Sequence, residues 1–303
     1  MAKKNSSHNF FPKKIVFLAS FLLIACLYYF KPWQKKTNTT KNPYVTYTNY
    51  NIPDISPERG RVIKHVFEKG DIKCITTYNI TTTLPIYIKR YYPNENRTEY
   101  FILKPIDVYT ENVDAMYELV KNSKKHIGKF ERVVLDMFSD KEITQSILIK
   151  KNIRMSKNPD YLSLGVWYKK EGEPTERLVG SVTIDPIHQT EESIEKGIPE
   201  GAYGSYFTGD PAYIDVKGIA YISIRALIDH MIYLGRIKKS IILIIDKRNI
   251  GSNNIAKKLH MHRHDAKGLY PSRYWPYRPT KIEDAYLYKI SVEEWKKVNW
   301  KKK

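Results

Sequence analysis

Lys217-Gly218-Ile219-Ala220 stands at the head of a long apolar stretch, and residues of this kind can hold an anion. The first main-chain N–H groups of a helix have no partner within it and carry partial positive charge. A helix opening here therefore offers a seat for a pyrophosphate. Gly218 and Ala220 lack the bulk that would keep a phosphate away, although Gly before a helix also suits a plain tight turn. Further on, Asn249 and Ser252 sit three apart ahead of Ala256-Lys257-Lys258-Leu259. Asn and Ser are ordinary capping residues; capping does not account for the whole series at these separations. His260, His262 and His264 alternate, so on a strand they would share one face, as metal ligands can. No Cys or second His cluster completes such a site. Tyr270, Tyr274, Trp275 and Tyr277 alternate with Pro271, Pro276 and Pro279, a loop able to line a pocket or to pack as surface.

The elements that must carry these residues follow from periodicity. Glu99–Pro105 reads as a short apolar strand, and Val113, Met116, Tyr117, Leu119 and Val120 give helical spacing over 111–122. Ser139-Asp140-Lys141-Glu142 is a capping signal for a helix through Ile149. Leu162–Tyr168 and Leu178–Ile184 read as a hairpin, and Ala202–Thr208 as another strand. A further strand is expected to lead from Tyr213 into Lys217. Ile219–Leu234 reads as a long amphipathic helix stopped by Gly235. Ser240–Ile245 is apolar throughout, as in a buried sheet, and Ser252–Leu259 reads as a short helix. Ala285–Ile290 is a last strand and Val292–Val298 a last helix. The order predicts an α/β fold with a mixed, largely antiparallel sheet flanked by helices. Ahead of it, Ile72–Thr77 and Leu84–Ile88 are strand-like and could form a small accessory layer.

In this order the segments resemble the GNAT-type N-acetyltransferases, in the branch that acetylates the N-terminal amines of ribosomal proteins. The residues that carry the resemblance are Lys217, Gly218, Ile219 and Ala220; Ser240–Ile245; Asn249, Ser252, Lys258 and Leu259; and Tyr286–Ile290 followed by Glu294-Trp295. Phe101–Pro105 with Ala115–Val120 looks like the family's first strand and helix. The resemblance covers residues 98–298. It implies acetyl-CoA as co-substrate, an amine acceptor, and a thioester held in a cleft between splayed strands. Main-chain N–H groups near Tyr206 and Thr208 would polarise the thioester carbonyl. Lys217, Gly218, Ile219, Ala220, Asn249 and Ser252 would bind the coenzyme, and Ser252 would assist the departing thiolate. For the base that deprotonates the amine, His188, Glu191 and Glu192 follow the 178–184 strand and are the candidates. Three positions depart from the family pattern. Asp215 replaces the usual Arg or Gln three residues before Gly218, Val216 replaces a loop Gly, and His260-Met261 replaces Gly-Phe. They leave open a non-catalytic relative that binds or scaffolds.

Charge and hydropathy place the domain. The 303 residues carry a formal net charge of +19 with 42% apolar residues, a globular composition that excludes disorder. Residues 1–41 contribute +8, 42–97 and 98–295 +3 each, and the tail from Lys296 five Lys. With the basicity at the ends rather than on the domain, no nucleic-acid partner is expected. Residues 15–30, after the basic segment 1–14, are uncharged and largely apolar, flanked by Lys13, Lys14, Lys31 and Trp33. They read as a single-pass membrane anchor or a signal segment. Leu23-Ile24-Ala25-Cys26 also resembles a lipoprotein box. Residues 31–97 read as a tether with the small accessory region, 98–298 as the acyltransferase domain and 299–303 as a basic tail. Use of acetyl-CoA implies a domain facing the cytosol. Of two Cys, only Cys74 lies outside the apolar run, so no disulfide framework is available within the rest of the chain.

Overall fold

The sheet begins earlier in the chain than its periodicity suggests. The computed structural model describes residues 61–69, 72–130, 132–187, 200–265 and 285–300. β1 (Arg61–Lys69), β2 (Ile72–Ile80), β3 (Ile86–Tyr92) and β4 (Arg97–Lys104) follow one another as antiparallel neighbours. The strands expected as an accessory layer thus continue the main sheet. Ile86, Ile88 and Arg90 alternate inward on β3, so these strands have a buried face to share with the rest.

Helices α1 (Thr110–Asn122), α2 (Lys124–Ile127), α3 (Arg132–Met137) and α4 (Lys141–Lys157) come next. Asp140 caps α4 by accepting the Ile143 N–H at 2.7 Å, as the capping signal indicated. The helix continues past Ile149 because nothing breaks it before Asn158, whose following Pro159 disfavours helical backbone. β5 (Leu162–Lys170) and β6 (Arg177–Ile187) form the expected hairpin, and β7 (Gly201–Thr208) pairs antiparallel with β6.

The strand expected around Tyr213 is instead a helical turn, α5 (Pro211–Ile214). Asp210-Pro211 explains the difference. The Asp210 carboxylate accepts the Ala212 N–H at 2.9 Å, and Pro suits the first helical position. α6 (Ile219–Tyr233), β8 (Ser240–Asp246), α7 (Ile250–Lys258), β9 (His262–Asp265), β10 (Ala285–Ser291) and α8 (Val292–Asn299) complete the order. The ten-stranded sheet runs β1-β2-β3-β4-β5-β6-β7-β8-β10-β9. Every neighbouring pair is antiparallel except β7 and β8.

α6 is not amphipathic in its setting: every residue from Ile222 to Ile232 is buried, Ser223, Arg225, Asp229 and His230 included. One side packs on β6 and β7, and another on β2, β3 and β4. The polar stripe lies beneath the first strands and the C-terminal residues rather than in water. Ile224, Leu227, Ile228 and Met231 are essentially inaccessible, and each such side chain contributes about 1.5–3 kcal/mol. Burying Arg225 and Asp229 opposes that gain unless both are hydrogen-bonded. Asp229 accepts from Trp295 Nε1 at 2.6 Å, Trp300 Nε1 at 2.7 Å and the Tyr78 hydroxyl. Arg225 Nη1 donates to Tyr221 OH at 2.7 Å, and its Nε lies 4.0 Å from Asp229.

Candidate active site

The parallel pair β7 and β8 is joined only at Ala202↔Ile241 and Tyr203↔Ile242. β7 runs on to Thr208 and β8 to Asp246 without further pairing, so the strands part toward their carboxyl ends. Polar backbone along that stretch of β7 is left facing the gap, and the carboxyl ends of parallel strands are where α/β sheets bind ligands. Tyr206 and Thr208, both half-buried, lie on the parted stretch.

Two helix starts stand at the same end. After β7 the chain turns through α5 and Asp215 to Gly218, which caps α6 with φ 74°, a left-handed conformation suited to Gly. The first bond of α6 is Ile222 N–H to the Gly218 carbonyl at 3.3 Å, so the N–H groups of 219–221 precede the helical ladder. Lys217 and Gly218 are exposed, Ala220 is half-buried and Ile219 is buried. Ile219 therefore anchors the helix and contributes only its main chain to the opening.

After β8, Asn249 caps α7 by accepting the Ser252 N–H at 3.1 Å. The helix begins at Ile250, not at Ser252, so Ser252 lies in its first turn and its hydroxyl is not the cap. Asn253, buried behind it, donates to the carbonyls of Asp246 at 2.9 Å and Asn249 at 2.7 Å and accepts from Tyr288 OH at 2.8 Å. These bonds tie the turn after β8 to β10.

Asp215 takes a left-handed backbone, φ 49°, and its side chain is 83% exposed with Oδ2 3.8 Å from Lys170 Nζ. Val216 is buried and wedges the loop onto the core. A groove of about 2660 Å³ runs from this loop along α6 toward α8, lined among others by Arg90, Tyr92, Lys217, Tyr221 and Trp300.

The structure places Tyr206 and Thr208 on the parted stretch of β7, Lys217, Gly218, Ile219 and Ala220 at the start of α6, and Asn249 and Ser252 at the start of α7; of these, Lys217 and Gly218 line the groove and the other six do not. His188, Glu191 and Glu192 lie outside the described residues, as do 15–30 and the aromatic loop 270–279. The alternating histidines are not a cluster. His260 sits in the turn after α7 at φ 59°, and His262 bonds Glu294 Oε1 at 2.6 Å. Among the described residues no group of His, Cys, Asp and Glu is placed to hold a metal, and no helix is long and apolar enough to cross a membrane. Sequence reasoning missed Arg90 and Glu99, which brace the loop, and the Asp229 hub. Arg225 and Asp229, four apart on an otherwise apolar helix, were the visible signal for the hub.

No protein-family model and no curated protein matches the chain. Solved structures do resemble it. One is the RimL ribosomal L7/L12 α-N-protein acetyltransferase in complex with coenzyme A, at 17% identity and TM-score 0.46, covering 64% of this chain and 94% of that one. A ribosomal-protein-S5-alanine acetyltransferase from Vibrio fischeri follows at 15% identity and TM-score 0.46, with the same coverages. The PaiA N-acetyltransferase of Thermoplasma acidophilum in complex with coenzyme A stands at 13% identity and TM-score 0.41, covering 63% and 98%. These are proteins of the kind the sequence resemblance names.

Proposed function

We propose that the chain is an N-acyltransferase that moves an acetyl group from acetyl-CoA to an amine, with a protein N-terminus as the acceptor. The observation that supports it most is the parted β7–β8 pair with both helix starts at its open end. The residues fit the coenzyme. Gly218 carries no side chain where the N–H groups of 219–221 open, and Asp215 is solvated beside Lys170 rather than turned into a buried pocket. When bound, acetyl-CoA supplies an activated acyl carbon. The 219–221 N–H groups would hold its pyrophosphate. N–H groups on the parted stretch of β7 would draw charge onto the thioester carbonyl oxygen. The acceptor ammonium would give one proton to a base, with His188 and Glu192 as the candidates; the amine would then attack the acyl carbon, the carbon–sulfur bond would break, and the second proton on nitrogen would pass to the departing thiolate. Ser252, whose hydroxyl is not spent on capping, would donate to the departing sulfur.

Residues 15–30 would anchor the domain to a membrane with the domain in the cytosol, where acetyl-CoA is made. The support is the uncharged run between Lys13-Lys14 and Lys31, with Trp33 just beyond it. A second reading, a non-catalytic binding or scaffold protein, is favoured by Asp215 and Val216 at positions where the family has other residues.

Calorimetric titration of the full chain with acetyl-CoA and desulfo-CoA decides between the readings, followed by mass-spectrometric detection of acetyl transfer to peptide N-termini. Binding with transfer is expected. No heat at millimolar ligand sinks the coenzyme reading, and binding without transfer to any amine favours the scaffold. Peptides containing Met1 to Lys13 should be found on the membrane-bound protein; a mature chain that starts at lipidated Cys26 removes the anchor.

A further inference from the structure

The loop that opens α6 is held by a strand outside the segment that carries the family resemblance. Arg90 of β3 donates through Nη1 to the Lys217 carbonyl at 2.7 Å, across 127 residues of chain. The same guanidinium donates through Nε to Glu99 Oε2 at 2.7 Å and through Nη2 to the same oxygen. Both residues are buried, Arg90 at 5% exposure and Glu99 at 3%. Glu99 is fixed in turn by Arg97 and by Tyr168 OH at 3.3 Å. The rings of Phe101 and Tyr92 lie 4.7 and 5.4 Å from the Arg90 guanidinium carbon. A Cβ placed on Gly218 would stand 3.5 Å from Arg90 Nη1.

We infer that Arg90 is the positioning residue of the anion loop, so that β3 fixes the peptide from which α6 opens. A guanidinium is planar, so once Glu99 holds Nε and Nη2 the direction of Nη1 is set. That direction meets the Lys217 carbonyl, one residue before the left-handed Gly218, and fixes the orientation of the peptide that opens the helix. Hydrogen bonds from a charged donor are roughly twice as strong as neutral ones, and burial keeps water from competing for this one. A lysine at 90 could meet Glu99 or the loop carbonyl but not fork between them. The ligand assigned to the loop rests on the acyltransferase reading; the bracing of the loop does not.

The test uses the full chain as wild type, Arg90→Lys and Glu99→Gln, with three readouts: hydrogen exchange across 214–221, thermal melting, and titration with acetyl-CoA and with inorganic pyrophosphate. In Arg90→Lys, loop amides should exchange about tenfold faster while those of β5 and β6 keep their protection. Dissociation constants for acetyl-CoA and pyrophosphate should rise about tenfold with turnover at saturation unchanged. Loop exchange equal to wild type in a folded Arg90→Lys overturns the inference. Should Arg90→Lys fail to fold, Glu99→Gln carries the test: it leaves a neutral acceptor where a carboxylate held the guanidinium, and an unchanged loop there overturns the inference equally. Loosened loop amides in a protein whose wild type binds no acetyl-CoA would leave the bracing standing and remove the acyltransferase reading.

Discussion

Asp229 is fully buried and keeps three donors, Tyr78 OH and the indole N–H groups of Trp295 and Trp300. Burial pushes its carboxyl pKa up, with Arg225 and the three hydrogen bonds pulling it back. Trp295→Phe deletes one charged hydrogen bond and opens a small cavity at a fully buried ring, so it should cost at least about 1.5–3 kcal/mol of unfolding free energy in denaturant titration. One turn of reasoning applies to His230, 2% exposed on the same helix, whose pKa burial pulls down to about 4 against a bond to the Thr81 backbone. The unfolded imidazole takes up a proton below about pH 6.5, whereas the folded one waits until about 4. Its stabilisation is therefore fully present above pH 6.5 and lost as pH falls toward 4. About 2 kcal/mol should be gone at pH 5, and His230→Gln should flatten that slope. His65, pulled down to about 3 by burial and then by Arg225, acts in the same direction. Equal slopes in wild type and variant would show that His230 is hydrated.

Among the elements, α7 separates two roles that its sequence leaves joined. Asn249 is the cap, so Asn249→Ala should cost about 0.5–2 kcal/mol. Ser252→Ala should leave the melting temperature nearly unchanged yet lower turnover by about 10²–10³, the effect of losing a hydrogen bond made in the transition state. If its activity merely tracks the folded fraction, Ser252 has no catalytic part. At the other helix start, Asp215→Asn should shift acetyl-CoA affinity by no more than about threefold, because an 83% exposed carboxylate is screened by solvent. Legibility at this scale depended on locality. Asp140 before α4, Gly235 after α6 and the β5–β6 hairpin announce themselves within a few residues. α5 replaced an expected strand although Asp210-Pro211 was readable as a helix start, since a four-residue turn has no period. Arg90 could not be read as a loop brace from its own segment, because its partners Glu99 and Lys217 meet it only through the sheet.

For the whole molecule, the early strands β2 and β3 are structural partners of α6 rather than an appendage to it. They cover Arg225, Asp229 and His230, side chains that would otherwise face water beside an apolar helix. A chain that starts at Arg97 should therefore lose its cooperative melt and aggregate, as light scattering would show; a monomer with a sharp transition would mean that the strands are dispensable. The wrap was not visible in periodicity because alternation tells which face of a strand is buried and not which helix lies against it. The core of 98–298 followed from ordered local signals, whereas the neighbour of β2 depended on a helix about 150 residues away in the chain.

Arg61, at the start of β1, donates to the Trp300 carbonyl at 2.8 Å and lies over that residue's indole ring, across a separation of 239 positions in the chain. On a ribosome, at about 5–20 residues per second, β1 leaves the exit tunnel roughly 10–50 s before the residue that completes its surroundings. During that interval Arg61 lacks Trp300 and the Tyr78 hydroxyl lacks Asp229, and β1, the edge strand, is open to chance pairing. The nascent protein must be guarded until translation ends, so its yield in cells should depend on elongation rate and on holding chaperones more than on its final stability.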